Sequence, residues 1–390
     1  MYDFSYHAFF PPSRGKRQDG GGAGKPVNVC FNLNRIGSRM SAASQAVART
    51  ALAAMYRTGS HRLLAPITRG LGAILMLHSV SPAPQPAFAP NGGLRVTPEF
   101  LDRAIRLVRS EGYDTVSLDE AHRRLSAPGT SKPFVTFTLD DGYRDNLEHA
   151  YPVFQQHHVP FCIYVPTGFA DGHADLWWTK LELALAAART LTLEMNGLTR
   201  VLECSSVAQQ YRAWDAVYWN LRKLDEQAMR AAVQGLCDQA GVDTGGLAAR
   251  EIMTWDEVTA LAQDPLCTIG AHTVNHYAVA KLPEAQAREE MLRSKIGLEE
   301  RLGRPVRHFS YPYGSEADAG PRDFALASGL GFATAVTTRK GLLFPEHRDH
   351  MMALPRLSLN GKVQDERMLA VLLGGAPFAL MNRFRRVSAA

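Results

Sequence analysis

The chain has 390 residues, of which 46% are hydrophobic and 21% are charged, values that are typical of globular proteins and argue against disorder. The formal net charge of +5 is spread without a dense basic tract, and no Lys/Arg-rich run alternates with aromatic residues, which argues against a nucleic-acid partner. The five cysteines are widely spaced and form no C-x-x-C pair, which excludes a disulfide framework and a thiolate zinc site.

The amino-terminal part lacks the features of a folded domain. Residues 1–39 are rich in Gly, Pro, Arg and Asn, and we expect them to form a disordered extension, with Met40 as an alternative start. We find no apolar stretch typical of a signal peptide, which favours a cytoplasmic location. A helical segment is predicted over 40–72. Its Ala-rich part, Ser41 to Met55, is too polar and short to be a transmembrane segment, and it is either a packed helix or a weak membrane-surface helix.

Seven apolar runs have the length and continuous hydrophobic character of parallel strands that are covered on both faces. These runs cover residues 73–78, 134–139, 161–165, 268–271, 306–311, 332–337 and 352–359. Helix signals lie between them, including Thr97 before Pro98, the pair Thr254 and Glu257, and an amphipathic stretch over 283–302. This alternation predicts a mostly parallel sheet or barrel with outer helices.

Residues 175–250 depart from this alternation and are interpreted as a helical insertion. Trp177 and Trp178 open it, and large aromatic residues at the start of an inserted helix are more often packing residues than sugar platforms. We interpret the insertion as a lid or specificity element. The stretch 361–390 is interpreted as a carboxyl-terminal tail.

Two pairs of polar residues at strand ends carry the chemistry. Asp140 and Asp141 directly follow one apolar strand, and His272 and His276 follow another. An adjacent Asp pair alone is often a turn, and single histidines are often structural. Together, however, two imidazoles and a carboxylate can hold a divalent metal with open positions, and the second carboxylate can act as a base on water. The pattern therefore predicts a metal-dependent hydrolase.

Three motifs occur in order: T-L-D-D-G at 138–142, H-T-V-N-H at 272–276 and S-Y-P-Y-G at 310–314. With the first strand, L-M-L-H-S-V at 75–80, they resemble the polysaccharide deacetylase family, also called the NodB homology domain or carbohydrate esterase family 4. The resemblance covers about 73–360, apart from the insertion. It implies an α/β fold, a distorted (β/α) barrel of about seven strands.

The resemblance also implies roles for individual residues. Asp141, His272 and His276 would hold the metal, most simply Zn²⁺, with cobalt or another divalent ion as an alternative. Asp140 would be the catalytic general base. The substrate site would be lined by Tyr311, Pro312, Tyr313, Arg356 and His78.

The chain departs from the family pattern at three places. The third motif lacks its usual Arg, the D-x-x-D-W element is absent, and the L-x-H motif that supplies the general acid is not visible. Arg356 would then occupy the cationic position that steadies the base. The general acid stays open between His78, His308 and His350.

These observations predict a deacetylase that hydrolyses N-acetyl groups of an acetylated carbohydrate, similar to a chitooligosaccharide deacetylase. One alternative is a hydrolase of non-carbohydrate amides on the same fold, which the departures from the motifs favour. The other is a catalytically silent carbohydrate-binding relative. Asp140, which a binding protein would not need, argues against the second alternative.

Overall fold

A computed structural model describes residues 42–127, 129, 132–195 and 197–387. The extension predicted over residues 1–39 and the alternative start at Met40 lie outside the described residues. Strands occupy β1 (Gly72–Leu77), β2 (Ser79–Val80), β3 (Arg95–Val96), β4 (Asp114–Thr115), β5 (Phe134–Leu139), β6 (Phe161–Val165), β7 (Thr190–Met195), β8 (Leu198–Glu203), β9 (Cys267–Ala271), β10 (His308–Ser310), β11 (Thr334–Lys340) and β12 (Leu354–Ser358).

Helices connect and surround these strands. They are α1 (Ala42–Arg57), α2 (Ser60–Thr68), α3 (Pro98–Ser110), α4 (Leu118–Ser126), α5 (Tyr151–Gln156), α6 (Trp177–Ala187), α7 (Val207–Leu221), α8 (Glu226–Ala240), α9 (Leu247–Glu251), α10 (Trp255–Leu261), α11 (Glu284–Leu302), α12 (Pro321–Gly329), α13 (Glu366–Leu373) and α14 (Ala376–Met381). No helix within the described ranges combines the length and apolar character needed to cross a membrane.

Seven parallel strands form a closed barrel in the order β1-β12-β11-β10-β9-β6-β5, and β5 pairs back to β1. The short strand β4 pairs in parallel with the first two residues of β5. Every residue of β1, β5 and β6 is buried, because these strands face the barrel interior on one side and helices on the other. The predicted distorted barrel of about seven strands is therefore confirmed.

Local sequence signals explain where the outer helices begin. The Thr97 hydroxyl accepts a hydrogen bond from the Phe100 N–H and caps α3, and Thr254 forms a reciprocal capping box with Glu257 at the start of α10. Helix α11 covers the predicted amphipathic stretch and buries an apolar stripe that includes Met291 and Leu298.

The insertion predicted over 175–250 contains helices α6 to α9, but it also contains an antiparallel hairpin of β7 and β8. The hairpin has an alternating pattern in which Leu191, Leu193 and Leu202 are buried. The insertion has its own apolar core, and Trp177 and Trp178 are buried in it, as expected for packing residues.

The segments before and after the barrel pack together. Helix α1 packs against α13, and α2 packs against α14. Residues 361–390, interpreted from sequence as a tail, thus include two helices with buried side chains such as Leu373 and Phe378.

Closure of the barrel depends on a glycine at the start of β1. A Cβ atom on Gly72 would lie 2.0 Å from the carbonyl oxygen of Phe134. We predict that Gly72→Ala lowers the free energy of unfolding by at least about 2 kcal/mol, because β1 and β5 would be pushed apart. Urea unfolding measures this change. The control is Gly235→Ala in α8, where a Cβ meets nothing within 4 Å. This control should raise the free energy of unfolding by roughly 0.5–1 kcal/mol. A change of similarly small size in Gly72→Ala would contradict the prediction.

Candidate active site

The polar residues singled out from the sequence gather at the carboxyl ends of the barrel strands, where sites of α/β barrels form. His78 follows β1, Asp140 and Asp141 follow β5, and the H-T-V-N-H segment follows β9. The loop after β10 and Arg356 on β12 complete the ring.

Asp141, His272 and His276 form a cluster whose ligand atoms all lie within 4.8 Å of one another. Asp141 Oδ1 lies 3.4 Å from His272 Nε2 and 3.1 Å from His276 Nε2. Asp141 Oδ1 and His272 Nε2 are buried and have no hydrogen-bond partner among the described residues. Buried polar atoms without partners are costly, and one carboxylate with two imidazoles is a donor set that a divalent cation would satisfy. These residues therefore fit a metal ion.

His272 is fixed by a contact that selects its tautomer. Its Nδ1 lies 2.6 Å from the carbonyl oxygen of Ser310, which can only accept, so Nδ1 carries the proton. The lone pair of Nε2 then points toward Asp141, as expected for a metal-ligating imidazole with an outer-shell carbonyl partner.

His276 is enclosed by aromatic rings. The ring centroids of Tyr313, Trp178 and Phe169 lie 4.8, 5.2 and 5.7 Å from that of His276. Burial lowers the pKa of His276 to about 4, so the imidazole is neutral near pH 7 and able to act as a ligand. The Asp141 carboxyl is also buried, but the adjacent imidazoles outweigh burial and hold its pKa well below the ordinary value.

The loop that carries His276 is held by Glu290 of α11. Its Oε2 accepts hydrogen bonds from the N–H groups of Val274 and Asn275 at 3.0 and 2.9 Å, and its Oε1 accepts one from Asn275 Nδ2 at 2.6 Å. Sequence reasoning missed Glu290. The sequence feature that could have indicated Glu290 is a carboxylate next to Met291 on the buried stripe of an amphipathic helix.

Left-handed backbone conformations concentrate at the site. Asp141, Thr273, His276 and Tyr313 have φ angles of 75°, 61°, 56° and 61°. Such conformations cost free energy in residues other than glycine and tend to cluster where function requires them. They aim the side chains of three separate loops toward one point.

Asp140 and Arg356 form a buried bidentate ion pair, with both N···O distances at 2.7 Å. The remaining guanidinium donors bond Ser310 Oγ, Thr138 Oγ1 and the carbonyl oxygen of Thr337, so all five N–H groups have acceptors. Burial opposes ionisation of Asp140, but Arg356 outweighs it and lowers the pKa of this carboxyl. Arg356 is only 1% exposed and holds both oxygens of Asp140 in place, and its position in the lining of the substrate site stays a prediction.

The structure separates the three candidates for the general acid. His78 Nε2 lies 3.9 Å from Asp140 Oδ2 at the site. His308 begins β10 at the opposite end of the barrel, where its Nδ1 contacts Thr334 Oγ1. His350 precedes the amino end of β12 and is exposed. His308 and His350 are therefore ruled out by position, and His78 is the candidate that the fold places beside Asp140.

The three residues predicted to bind substrate after β10 differ in position. Tyr311 is fully buried between the barrel and α12, where its ring contacts Phe324, and its hydroxyl donates to the carbonyl oxygen of Met352 at 3.0 Å. Strand alternation directs Tyr311 outward and Ser310 inward, so the structure places the Tyr311 side chain away from the site that it was predicted to line. Pro312 and Tyr313 follow in the loop, and the Tyr313 ring contacts His276.

The insertion contributes charged residues to the same wall, which the sequence analysis also missed. The Arg222 guanidinium lies 3.6 Å from the centre of the Tyr313 ring. Glu226 Oε1 accepts from the Ala278 N–H at 3.3 Å, and Arg230 donates to the carbonyl oxygen of Asn275 at 3.3 Å. The helices of the insertion thus brace the loop that carries His276.

Comparison with known proteins agrees with this geometry. Residues 127–332, more than half of the chain, match the family model described as polysaccharide deacetylase. The chain belongs to the polysaccharide deacetylase family. It is 27% identical over 196 residues to a protein of Bacillus subtilis (strain 168) that bears the name "Putative polysaccharide deacetylase YxkH"; the match covers 46% of this chain and 66% of YxkH.

A solved structure supports the fold. The deacetylase PplD of Streptococcus pyogenes, in complex with acetate, is similar with a TM-score of 0.52 and 19% sequence identity. The match covers 77% of this chain and 97% of PplD. At this identity the likeness concerns the fold alone.

The ion pair between Asp140 and Arg356 leads to a stability prediction. Arg356→Gln should lower the free energy of unfolding by about 3–5 kcal/mol, because it leaves a buried carboxylate without its partner. The double variant Asp140→Asn/Arg356→Gln should recover about 1–3 kcal/mol of that loss. Urea unfolding at neutral pH measures both. The control Arg106→Gln removes an exposed helical pair with Asp102 and should cost at most about 0.5 kcal/mol. A loss in Arg356→Gln no larger than that of the control would refute the prediction.

Proposed function

We propose that this protein is a metal-dependent deacetylase that hydrolyses the N-acetyl groups of an oligo- or polysaccharide, similar to a chitooligosaccharide deacetylase. Membership of the polysaccharide deacetylase family supports the reaction class. The observation that carries the proposal is the convergence of Asp141, His272 and His276 beside the Asp140 carboxylate.

We assign Zn²⁺ to the site because neutral imidazole nitrogen and carboxylate oxygen are ligands that zinc prefers. Asp141, His272 and His276 would hold the ion. When bound, a divalent ion supplies Lewis-acid polarisation of the acetyl carbonyl and lowers the pKa of a water. The remaining steps of the reaction are carried out by side chains and a backbone N–H group of this protein.

Asp140 is suited to be the general base. Its carboxylate is ionised, because Arg356 lowers the pKa of the group, and the bidentate contact fixes both oxygens. Asp140 takes a proton from the water whose oxygen attacks the acetyl carbonyl carbon. Arg356 acts through Asp140 as a positioning residue.

His78 is suited to protonate the leaving nitrogen. Its Nε2 lies 3.9 Å from Asp140 Oδ2, so a small movement lets the proton taken by Asp140 pass to the imidazole. The C–N bond breaks as that proton reaches the nitrogen, and acetate and a free amine result. Burial lowers the pKa of His78, which favours rapid release of the proton.

The loop after β10 would receive the acetyl group. The N–H of Tyr313 donates no hydrogen bond within the described residues, and its neighbour Gly314 is held by the carbonyl oxygen of Pro312. This N–H is available to the oxyanion that develops on the acetyl oxygen. Pro312 and Tyr313 would shape the floor of the groove.

The cytoplasmic location of the protein stays a prediction.

A non-carbohydrate amide is the second candidate substrate. It is favoured by the closed character of the centre, because Asp140 and His272 are fully buried and Trp178 of the insertion packs against His276. A small amide would fit such a centre more easily than the middle of a long polysaccharide. The retained pair of Asp140 and Arg356 disfavours a silent binding relative.

The function is tested by zinc content and acetate release from N-acetylglucosamine oligomers, alongside a panel of cyclic and linear amides. We expect acetate release that a chelator abolishes and zinc restores. His272→Ala and His276→Ala should lose bound metal, because each removes one of three ligands. Asp140→Asn should keep the metal and lower kcat by about 10²–10⁴-fold.

His350→Ala is the matched control, because His350 is exposed at the opposite end of the barrel and should retain both metal and activity. Hydrolysis confined to amides without a sugar would replace the proposed substrate class. Acetate release that persists in Asp140→Asn would contradict the role of the base.

The role of His78 is tested by varying the leaving group. His78→Gln should lower kcat for an N-acetylated sugar by about 10²-fold or more, because its amine leaves only when protonated. 4-Nitrophenyl acetate, whose leaving group departs without a proton, should be affected far less. Equal losses on both substrates would assign His78 a structural role instead.

A further inference from the structure

Helix α2 (Ser60–Thr68) is amphipathic in the opposite sense to an ordinary surface helix. Its buried residues are the polar His61 and Thr68. Its large apolar residues face solvent, with Leu63, Leu64 and Ile67 exposed by 80%, 43% and 73%. Ile67 lies three residues after Leu64 and four after Leu63, so the three side chains form one apolar stripe.

The polar face of α2 is held inward by specific contacts. His61 Nδ1 lies 3.0 Å from the carbonyl oxygen of Met55, and the His61 ring stacks on Tyr56. The Thr68 hydroxyl donates to the carbonyl oxygen of Gly374 at 2.5 Å. These contacts fix the rotation of α2, so the apolar stripe cannot turn toward the protein without breaking them.

Helix α14 and the residues after it extend this surface. Helix α14 packs against α2, and Leu380 and Phe384 are exposed by 56% and 71%. With Val47 of α1, the two helices and the residues after α14 hold six of the twelve exposed large apolar side chains of the described residues. Solvent-exposed apolar groups concentrated in this way mark an interaction surface. We call it the apolar face, defined by Leu63, Leu64, Ile67, Leu380 and Phe384.

Exposed arginines lie on the elements that form or adjoin the apolar face, with Arg49 and Arg57 on α1 and Arg383 and Arg385 on either side of Phe384. Arg49, Arg57, Arg383 and Arg385 are exposed, and no carboxylate among the described residues pairs with them. Exposed apolar side chains together with unpaired arginines are the combination that binds anionic lipid surfaces, in which apolar groups enter the interface and cations meet headgroups. A protein partner would not require this excess of one charge.

We propose that the apolar face docks on an anionic lipid membrane surface. Helix α2 leads into β1 at Gly72, so the end of α2 lies at the amino end of the barrel strands, and the candidate active site lies at their carboxyl ends. Docking therefore leaves the active site free. The inference does not rest on the proposed function, and membrane binding can be measured without activity.

The test is sedimentation of the full chain with phosphatidylcholine vesicles, with and without phosphatidylglycerol. We expect binding to the vesicles that contain phosphatidylglycerol, weakened by salt. Leu63→Glu/Ile67→Glu should abolish binding. Arg383→Gln/Arg385→Gln should weaken it by roughly fivefold per arginine. The matched control is Leu198→Glu/Val201→Glu on the hairpin of the insertion, where the exposed fractions are 66% and 62%. This control should bind as the unchanged chain does.

Circular dichroism and thermal unfolding confirm that each variant is folded, and the arginine variant keeps the test valid if the α2 variant does not fold. Binding that is equal on neutral and anionic vesicles, or equal in Leu63→Glu/Ile67→Glu and the unchanged chain, would overturn the proposal. Absence of vesicle binding would also overturn it. A dimer that forms through the apolar face, seen by light scattering without vesicle binding, would assign the face to a second copy of the chain instead.

Discussion

The ion pair between Asp140 and Arg356 is the interaction on which the site depends. Arg356 extends from β12 across the barrel interior and contacts the end of β5 through Asp140, β10 through Ser310 and β11 through Thr337. One buried guanidinium thus ties four strands together at the level of the site. The desolvation cost of such a pair is offset only because every donor has an acceptor. The Asp140 carboxylate is therefore held in one position, since any shift would leave a buried donor without its acceptor.

The two halves of the candidate centre are held by different parts of the molecule. The barrel interior fixes Asp140, whereas the loop with His276 is fixed from outside by Glu290 of α11 and by Arg230 of the insertion. Tyr313 links the loop of His276 to the insertion, because its ring contacts both the His276 ring and the Arg222 guanidinium. The insertion is therefore part of the wall of the centre, and changes in its helices would alter the position of His276.

Sequence reasoning could locate the barrel strands and Asp140, Asp141, His272 and His276, because continuous apolar runs end at short polar motifs. It could not place Tyr311, since a motif does not tell which residues point into the barrel, and the left-handed turn at Tyr313 changes the direction after the strand. The contacts of Glu290, Arg222 and Arg230 are long-range, so no local pattern predicts them. The hairpin of β7 and β8 was not predicted, because at least half of the residues in each strand are exposed and the apolar alternation is short.

Helix α2 breaks the rule that a surface helix buries its apolar side chains, and no contact within the described part of the chain offsets the lost burial. Leu63 and Ile67 would contribute about 1.5–3 kcal/mol each if they were buried, yet the polar residues His61 and Thr68 occupy the inner face. A helix selected only for stability would carry apolar residues on that inner face. Because departures from such rules concentrate where function requires them, the exposed stripe is better explained by something that covers it than by folding. The unpaired arginines beside it indicate that the covering surface is negatively charged.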